Sequence, residues 1–156
     1  MTIAPNGVWV TNFFDSTLSR IDPATNAVLQ TIKVGSVSLV GTALEGLAPE
    51  AIAYGEGALW VSLLGFRFDS SLVPPFQFTA GSVVRIDPAT GNVQATIPVG
   101  RGGFDIAAAP GAVWVPLNTE GTIIRIDPAT NTVVANIPVA APSGVAVGFG
   151  AVWVGC

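Results

Sequence analysis

A 156-residue chain with 18 glycines and 12 prolines leaves little room for helix, since each costs about 1 kcal/mol (Gly) or 3 kcal/mol (Pro) in a helix interior. Half of the residues are hydrophobic and 10% are charged, yet no apolar run reaches the roughly 18 residues of a membrane helix. The net charge of −4 and the absence of histidine disfavour nucleic acid as a partner and exclude histidine-based metal or catalytic sites.

In chain order, Met1-Thr2-Ile3-Ala4-Pro5 lacks the basic-then-apolar pattern of a secretory signal. Trp9-Val10 follows a small-residue turn and leads 13 residues later to Asp22, within Ile21-Asp22-Pro23-Ala24-Thr25. The same Ile-Asp-Pro-Ala-Thr run returns at Ile86 to Thr90 and Ile126 to Thr130, and the Trp-Val step returns at Trp60, Trp114 and Trp153. Asp87 and Asp127 are 40 residues apart, and Trp114 and Trp153 are 39 apart. A period near 40 with several short strands per unit is the pattern of a β-propeller blade.

The third unit is the plainest. Strands are expected at 104–109, 112–117, 122–126 and 132–139, with alternation that puts Val133, Ala135, Ile137 and Val139 on one face. In its turn, Asp127 accepts backbone N–H bonds, Pro128 presets φ, and Asn131 takes the left-handed conformation that Gly91 takes in the second unit. The expected fold is therefore all-β: a propeller of four-stranded antiparallel blades at about 1–35, 47–100 and 104–140, with an incomplete blade at 143–156. One tryptophan per repeat is expected to pack between neighbouring blades. Arg20, Arg85 and Arg125, each two residues before the turn aspartate, are expected either to serve that turn structurally or to be plainly solvated. Because a single-ring propeller needs about four to eight blades, three and a half would leave apolar faces and strand edges open. The chain is thus expected to be a piece of a longer propeller, with a ring completed by a second chain as the alternative.

Trp9-Val10-Thr11-Asn12 followed by Ser19-Arg20-Ile21-Asp22-Pro23-Ala24-Thr25-Asn26 resembles the YVTN-type β-propeller repeat of bacterial and archaeal proteins. Ile124 to Val139, Pro142 to Val147 and Ala151 to Val154 resemble it too. The resemblance is to packing and turn chemistry, which specify architecture far better than activity. It implies kinship with virginiamycin B (streptogramin) lyases, gluconolactonase-type enzymes and non-catalytic sensor or surface domains, and an exported location. The lyases' histidine base beside magnesium has no counterpart in a chain without histidine.

Two segments depart from the repeat. Trp60 to Asp87 is 27 residues where 13 is the rule, and the link within Gly35 to Ala48 is also long. Both are expected as loops at the upper end of one blade, the end that carries the two-three loops and the links between blades, where the resemblance implies a binding site. One of them holds Phe66, Arg67, Phe68, Asp69, Phe76 and Phe78 around Pro74-Pro75, an aromatic loop suited to lid a ligand, dock a partner or cover a neighbouring blade edge. Asp15, Glu45, Glu50, Asp69, Asp105 and Glu120 are expected at this end against Arg67 and Arg101, an acidic face that favours a cation or cationic ligand. Glu50 and Asp105 at the starts of first strands, with Asn12 and Asn118 just after second strands, supply the oxygen donors that Ca²⁺ or Mg²⁺ takes. Glu50 and Asp105 are the candidate metal ligands. They join Asn12, Asn118, Arg67, Phe66 and Phe68 as candidate ligand-binding residues.

No nucleophile–base pair, Cys/His metal site or phosphate loop is present, and Gly100, Gly102 and Gly103 precede no helix. The lone Cys156 admits no internal disulfide. The expected function is non-enzymatic binding of a small molecule or protein through the upper face. The alternative is part of a divalent-metal-assisted lyase or lactonase whose remaining ligands lie outside these residues.

Overall fold

Fifteen strands fall into four antiparallel sheets in the computed structural model, which describes residues 1–156. Blade one is β1 (Thr2–Ala4), β2 (Gly7–Asn12), β3 (Thr17–Asp22) and β4 (Ala27–Lys33). Blade two has five strands: β5 (Ser36–Val40), β6 (Ala43–Gly55), β7 (Ala58–Phe68), β8 (Phe76–Ile86) and β9 (Val93–Arg101). Blade three is β10 (Ala107–Ala109), β11 (Ala112–Leu117), β12 (Thr122–Asp127) and β13 (Thr132–Pro138), and β14 (Gly144–Gly148) pairs with β15 (Ala151–Gly155). Together these sheets form a partial β-propeller.

The core lies between blades, and blade two, flanked on both sides, buries both of its faces. Leu59, Val61 and Leu63 of β7 pack with Trp9 and Leu18 of blade one. Trp60, on the other face of β7, packs with Val113, Val115 and Ile126 of blade three. Trp9 and Trp60 are fully buried, Trp114 is half-buried, and Trp153 is 60% exposed. The series follows what stands beside each ring, as expected of a side chain that packs against the next blade.

The turn chemistry repeats atom for atom. Asp22 Oδ1, Asp87 Oδ1 and Asp127 Oδ1 accept the N–H of Ala24, Ala89 and Ala129 at 2.8–2.9 Å. Asn26, Gly91 and Asn131 all take positive φ. The arginines face the tryptophans across the strand pair, at Trp9–Arg20, Trp60–Arg85 and Trp114–Arg125. The Arg85 and Arg125 guanidinium carbons sit 5.1 and 5.9 Å from the rings. Arg85 then reaches the next blade, donating from Nη1 to Pro128 O at 2.7 Å and to Asn131 Oδ1 at 3.1 Å. Asn6 Nδ2 makes the corresponding bond to Pro88 O one border earlier. Each Asp-Pro turn of blades two and three is thus held by the blade before it.

The structure corrects the sequence reading at three places. Residues 104–106 do not open a strand: Phe104 packs on Phe78, and Asp105 turns its carboxylate to the N–H groups of Ile106 and Val145. The two long segments expected as loops are largely ladder, with irregular chain only at the turns 41–42 and 69–75. Glycines and prolines there suggest irregular chain, but the strands continue through them as an extension of blade two.

Candidate functional site

The two departures from the repeat pair with each other. Beyond a register shift at Pro49–Ala51, β6 continues upward, so that Leu47, Gly46, Glu45 and Leu44 face Gly65, Phe66, Arg67 and Phe68 of β7. β7 in turn pairs with β8 through Thr79, Phe78, Gln77 and Phe76, and a two-residue turn at Gly41-Thr42 returns the chain along β5. Opposed residues share a face. One face carries the rows Ser38–Glu45–Arg67–Gln77 and Ser36–Leu47–Gly65–Thr79, and the other carries Leu39–Leu44–Phe68–Phe76 and Val37–Gly46–Phe66–Phe78. The extension is polar on one side and aromatic on the other.

Glycine is required where neighbouring backbones crowd it. A Cβ on Gly46, whose φ is +149°, would lie 1.8 Å from Ser36 O, and one on Gly65 would lie 2.2 Å from Ala80 O. These close approaches let four strands stack above a blade built for shorter ones.

On the polar side is a cleft of about 530 Å³ bounded by Ser36, Ser38, Glu45, Arg67 and Thr79, with Gly46, Leu47, Phe66 and Ala80 completing it. Arg67 Nη1 lies 3.3 Å from Glu45 Oε2 and its Nη2 lies 3.1 Å from Asp69 Oδ2. Asp69 is buried and accepts from Ser71 N at 3.0 Å and Ser71 Oγ at 2.6 Å. Those bonds, followed by Arg67, hold its carboxyl below the ordinary aspartate value. One guanidinium is therefore shared by two carboxylates. The exposed Glu45–Arg67 pair contributes about 0–1 kcal/mol; the consequence of the sharing is to orient Arg67 beside Glu45 on the cleft wall.

The aromatic side braces the extension. Six rings follow one another, Phe14–Phe13–Phe66–Phe76–Phe78–Phe104, with centroids 5.0–5.7 Å apart. They run from the β2–β3 turn of blade one to the start of blade three, each contact contributing about 0.5–1.5 kcal/mol beyond the area it buries. Phe66 is buried within this stack, whereas Phe68 is 42% exposed.

Of the residues singled out in the sequence, Arg67 and Phe66 come together at the cleft, and Glu50, Asp105, Asn12 and Asn118 stand away from it. Asn12 Nδ2 bonds Thr17 Oγ1 and Ser19 Oγ within blade one. Asn118, in the 3₁₀ turn Asn118–Glu120, donates to Pro142 O. Asp105 Oδ1 and Oδ2 accept from Ile106 N and Val145 N, each at 2.8 Å. Glu50 is half-buried, and burial pushes its carboxyl above the ordinary value. Nowhere do three or more Asp, Glu, Cys or His side chains group to hold a metal ion. Ser36, Ser38 and Thr79 were missed as cleft residues. The alternation Phe76-Gln77-Phe78-Thr79 was the available signal for β8. The charge reading also needs correction: Lys33 pairs with Thr17 and its Nζ reaches Asp15 O, so it belongs to the upper end. Six carboxylates there face three cations, Lys33, Arg67 and Arg101.

A family model described as a repeat of unknown function, DUF6923, matches residues 35–156. The chain belongs to this repeat family. The match covers blade two with its extension, blade three and the last hairpin. Among solved structures, the DUF6923 chain is similar to hydrazine synthase of Kuenenia stuttgartiensis, at 20% identity and a TM-score of 0.66 over 92% of this chain and 37% of that one. It is also similar to glutaminyl cyclase of Myxococcus xanthus, at 15% identity and a TM-score of 0.58 over 98% of this chain and 65% of that one. A streptogramin B lyase aligns with 98% of this chain and 74% of its own at 15% identity, with a TM-score of 0.39. The chain thus spans between about a third and two thirds of the first two structures. These likenesses show the fold alone. No curated protein matches the sequence.

Proposed function

We propose that this DUF6923 chain is a non-catalytic binding segment of a YVTN-type propeller, and that its ligand site is the polar cleft on the blade-two extension. The observation that carries this reading is that both insertions, separate in sequence, join into one ladder whose small residues leave a cleft beside a fixed Glu45–Arg67–Asp69 triad. Long additions to a rigid scaffold are where binding tends to reside. The excess of carboxylates at this end favours a positively charged ligand group.

The test is an amide-resolved NMR titration of the chain with N-acetyl-lysine amide, sodium acetate and magnesium chloride in parallel. The lysine probe is expected to shift Ser36, Ser38, Glu45, Arg67 and Thr79, and acetate to leave them in place. Shifts confined to other regions would sink the cleft as the site. Magnesium shifts centred on Glu50 and Asp105 would favour the metal-assisted lyase or lactonase reading instead.

A further inference from the structure

The cleft opens beside a free strand edge. β5 pairs with β6 and with no other strand. Natural sheets blunt such edges with charge, proline, a bulge or a covering segment. Ser36-Val37-Ser38-Leu39-Val40 carries neither charge nor proline, pairs without a register shift, and leaves Leu39 71% and Val40 53% exposed.

We propose that β5 accepts an extended polypeptide segment as a sixth strand, with basic side chains over the cleft and apolar ones on the opposite face. This rests on the binding reading above and narrows it to one ligand class. The pattern follows from the rows already in place. A residue added opposite Ser38 extends the row Ser38–Glu45–Arg67–Gln77. With strands about 4.8 Å apart, it stands roughly 10 Å from Glu45, a gap that a lysine or arginine closes across the short Ser38 side chain. There it meets the Glu45 carboxylate, whose partner Arg67 is shared with Asp69. A residue added opposite Leu39 extends Leu39–Leu44–Phe68–Phe76, where an apolar side chain finds aliphatic and aromatic neighbours. Main-chain bonds to β5 supply affinity and the two rows supply selection. A second copy of this chain paired through its own β5, Ser36–Val40, brings only serine and aliphatic side chains, so it offers no cation.

The experiment uses the full chain and three end-capped six-residue peptides: alternating Lys-Val, alternating Glu-Val, and Lys-Val N-methylated on alternate residues, prepared in both methylation registers. Calorimetry gives Kd and NMR locates the contact. The Lys-Val peptide is expected to bind with shifts along Ser36–Val40 and to weaken as salt is raised. One methylation register should abolish binding and the other preserve it. The Glu-Val peptide and the Ser38→Lys variant should each lower affinity about tenfold or more, because like charges then meet at the cleft. Ser38 is an exposed edge position, so that variant keeps the fold. Equal binding of both methylated peptides or of Glu-Val overturns the proposal, as do shifts away from β5. A β5-mediated dimer in light scattering, dissolved by Leu39→Lys, overturns it in favour of a second copy. If N-acetyl-lysine amide still shifts the cleft while no peptide binds, strand addition falls and the binding reading stands. If neither ligand perturbs the cleft, both fall.

Discussion

Blades two and three share a lower end and part company at the upper one. Each has the Trp–Arg pair, the register shift at the residue after that arginine, and the Asp-Pro turn closed by an aspartate oxygen. In blade three, β11 and β12, of six residues each, meet at a single 3₁₀ turn, Asn118–Glu120. In blade two, β6, β7 and β8 run to 11–13 residues and climb past the ring. The difference teaches that the repeat constrains one end of the blade and leaves the other free to grow, provided the growth can close its own hydrogen bonds. The extension does this by pairing one insertion with the other. Loops of that length would have left those N–H and C=O groups to water.

The largest expected break in the comparison comes from the shared tryptophan. Trp60→Ala opens a cavity between two complete blades and should cost about 3–5 kcal/mol in denaturant unfolding. Trp114→Ala, at the corresponding but half-buried position, should cost clearly less, and equal losses would mean that the two borders are not packed differently. The next effect is confined to blade two. Gly46→Ala forces a side chain into a conformation that residues with a Cβ rarely adopt and against Ser36 O, at about 1–3 kcal/mol. Hydrogen exchange should speed up across Ser36–Leu47 and stay unchanged across blade three.

The smallest effect is on pH dependence. Burial raises the folded-state value of Glu50 above the ordinary 4.5, so the unfolded chain gives up this proton before the folded one does. The fold therefore loses stability as pH rises from 4.5 through the folded value, and the deficit persists above it. Glu50→Gln should unfold later than the parent at neutral pH and together with it below 4.5. A gap that instead widens toward acid would show that the carboxylate, rather than the acid, is the form favoured by its surroundings.

The repeat unit was legible because its signals are local. Asp, Pro and Asn or Gly at fixed offsets each dictate one backbone conformation, and the Trp–Arg spacing follows from a hairpin of set length. The extension was not legible because its pairing is distant in sequence. Gly46 and Gly65 look like loop punctuation in isolation, and their reason, another strand's carbonyl pressed against them, appears only once β5 and β8 are in place. The same holds for the site. Arg67 and Phe66 were visible by residue type, but Ser36, Ser38 and Thr79 matter for being small beside a cleft, which no composition reveals. Lys33 was absent from the residues expected at the upper end, yet the strand register carries it there.

The bonds that Asn6 and Arg85 send to Pro88 and Pro128 make each of the two borders between complete blades a matched donor and carbonyl. A blade gained by gene duplication, or exchanged between relatives, fits wherever it brings that carbonyl to its predecessor and offers a donor to its successor. Nothing in this coupling touches the upper hairpins. New surfaces can then be tried on one blade at a time without renegotiating the ring.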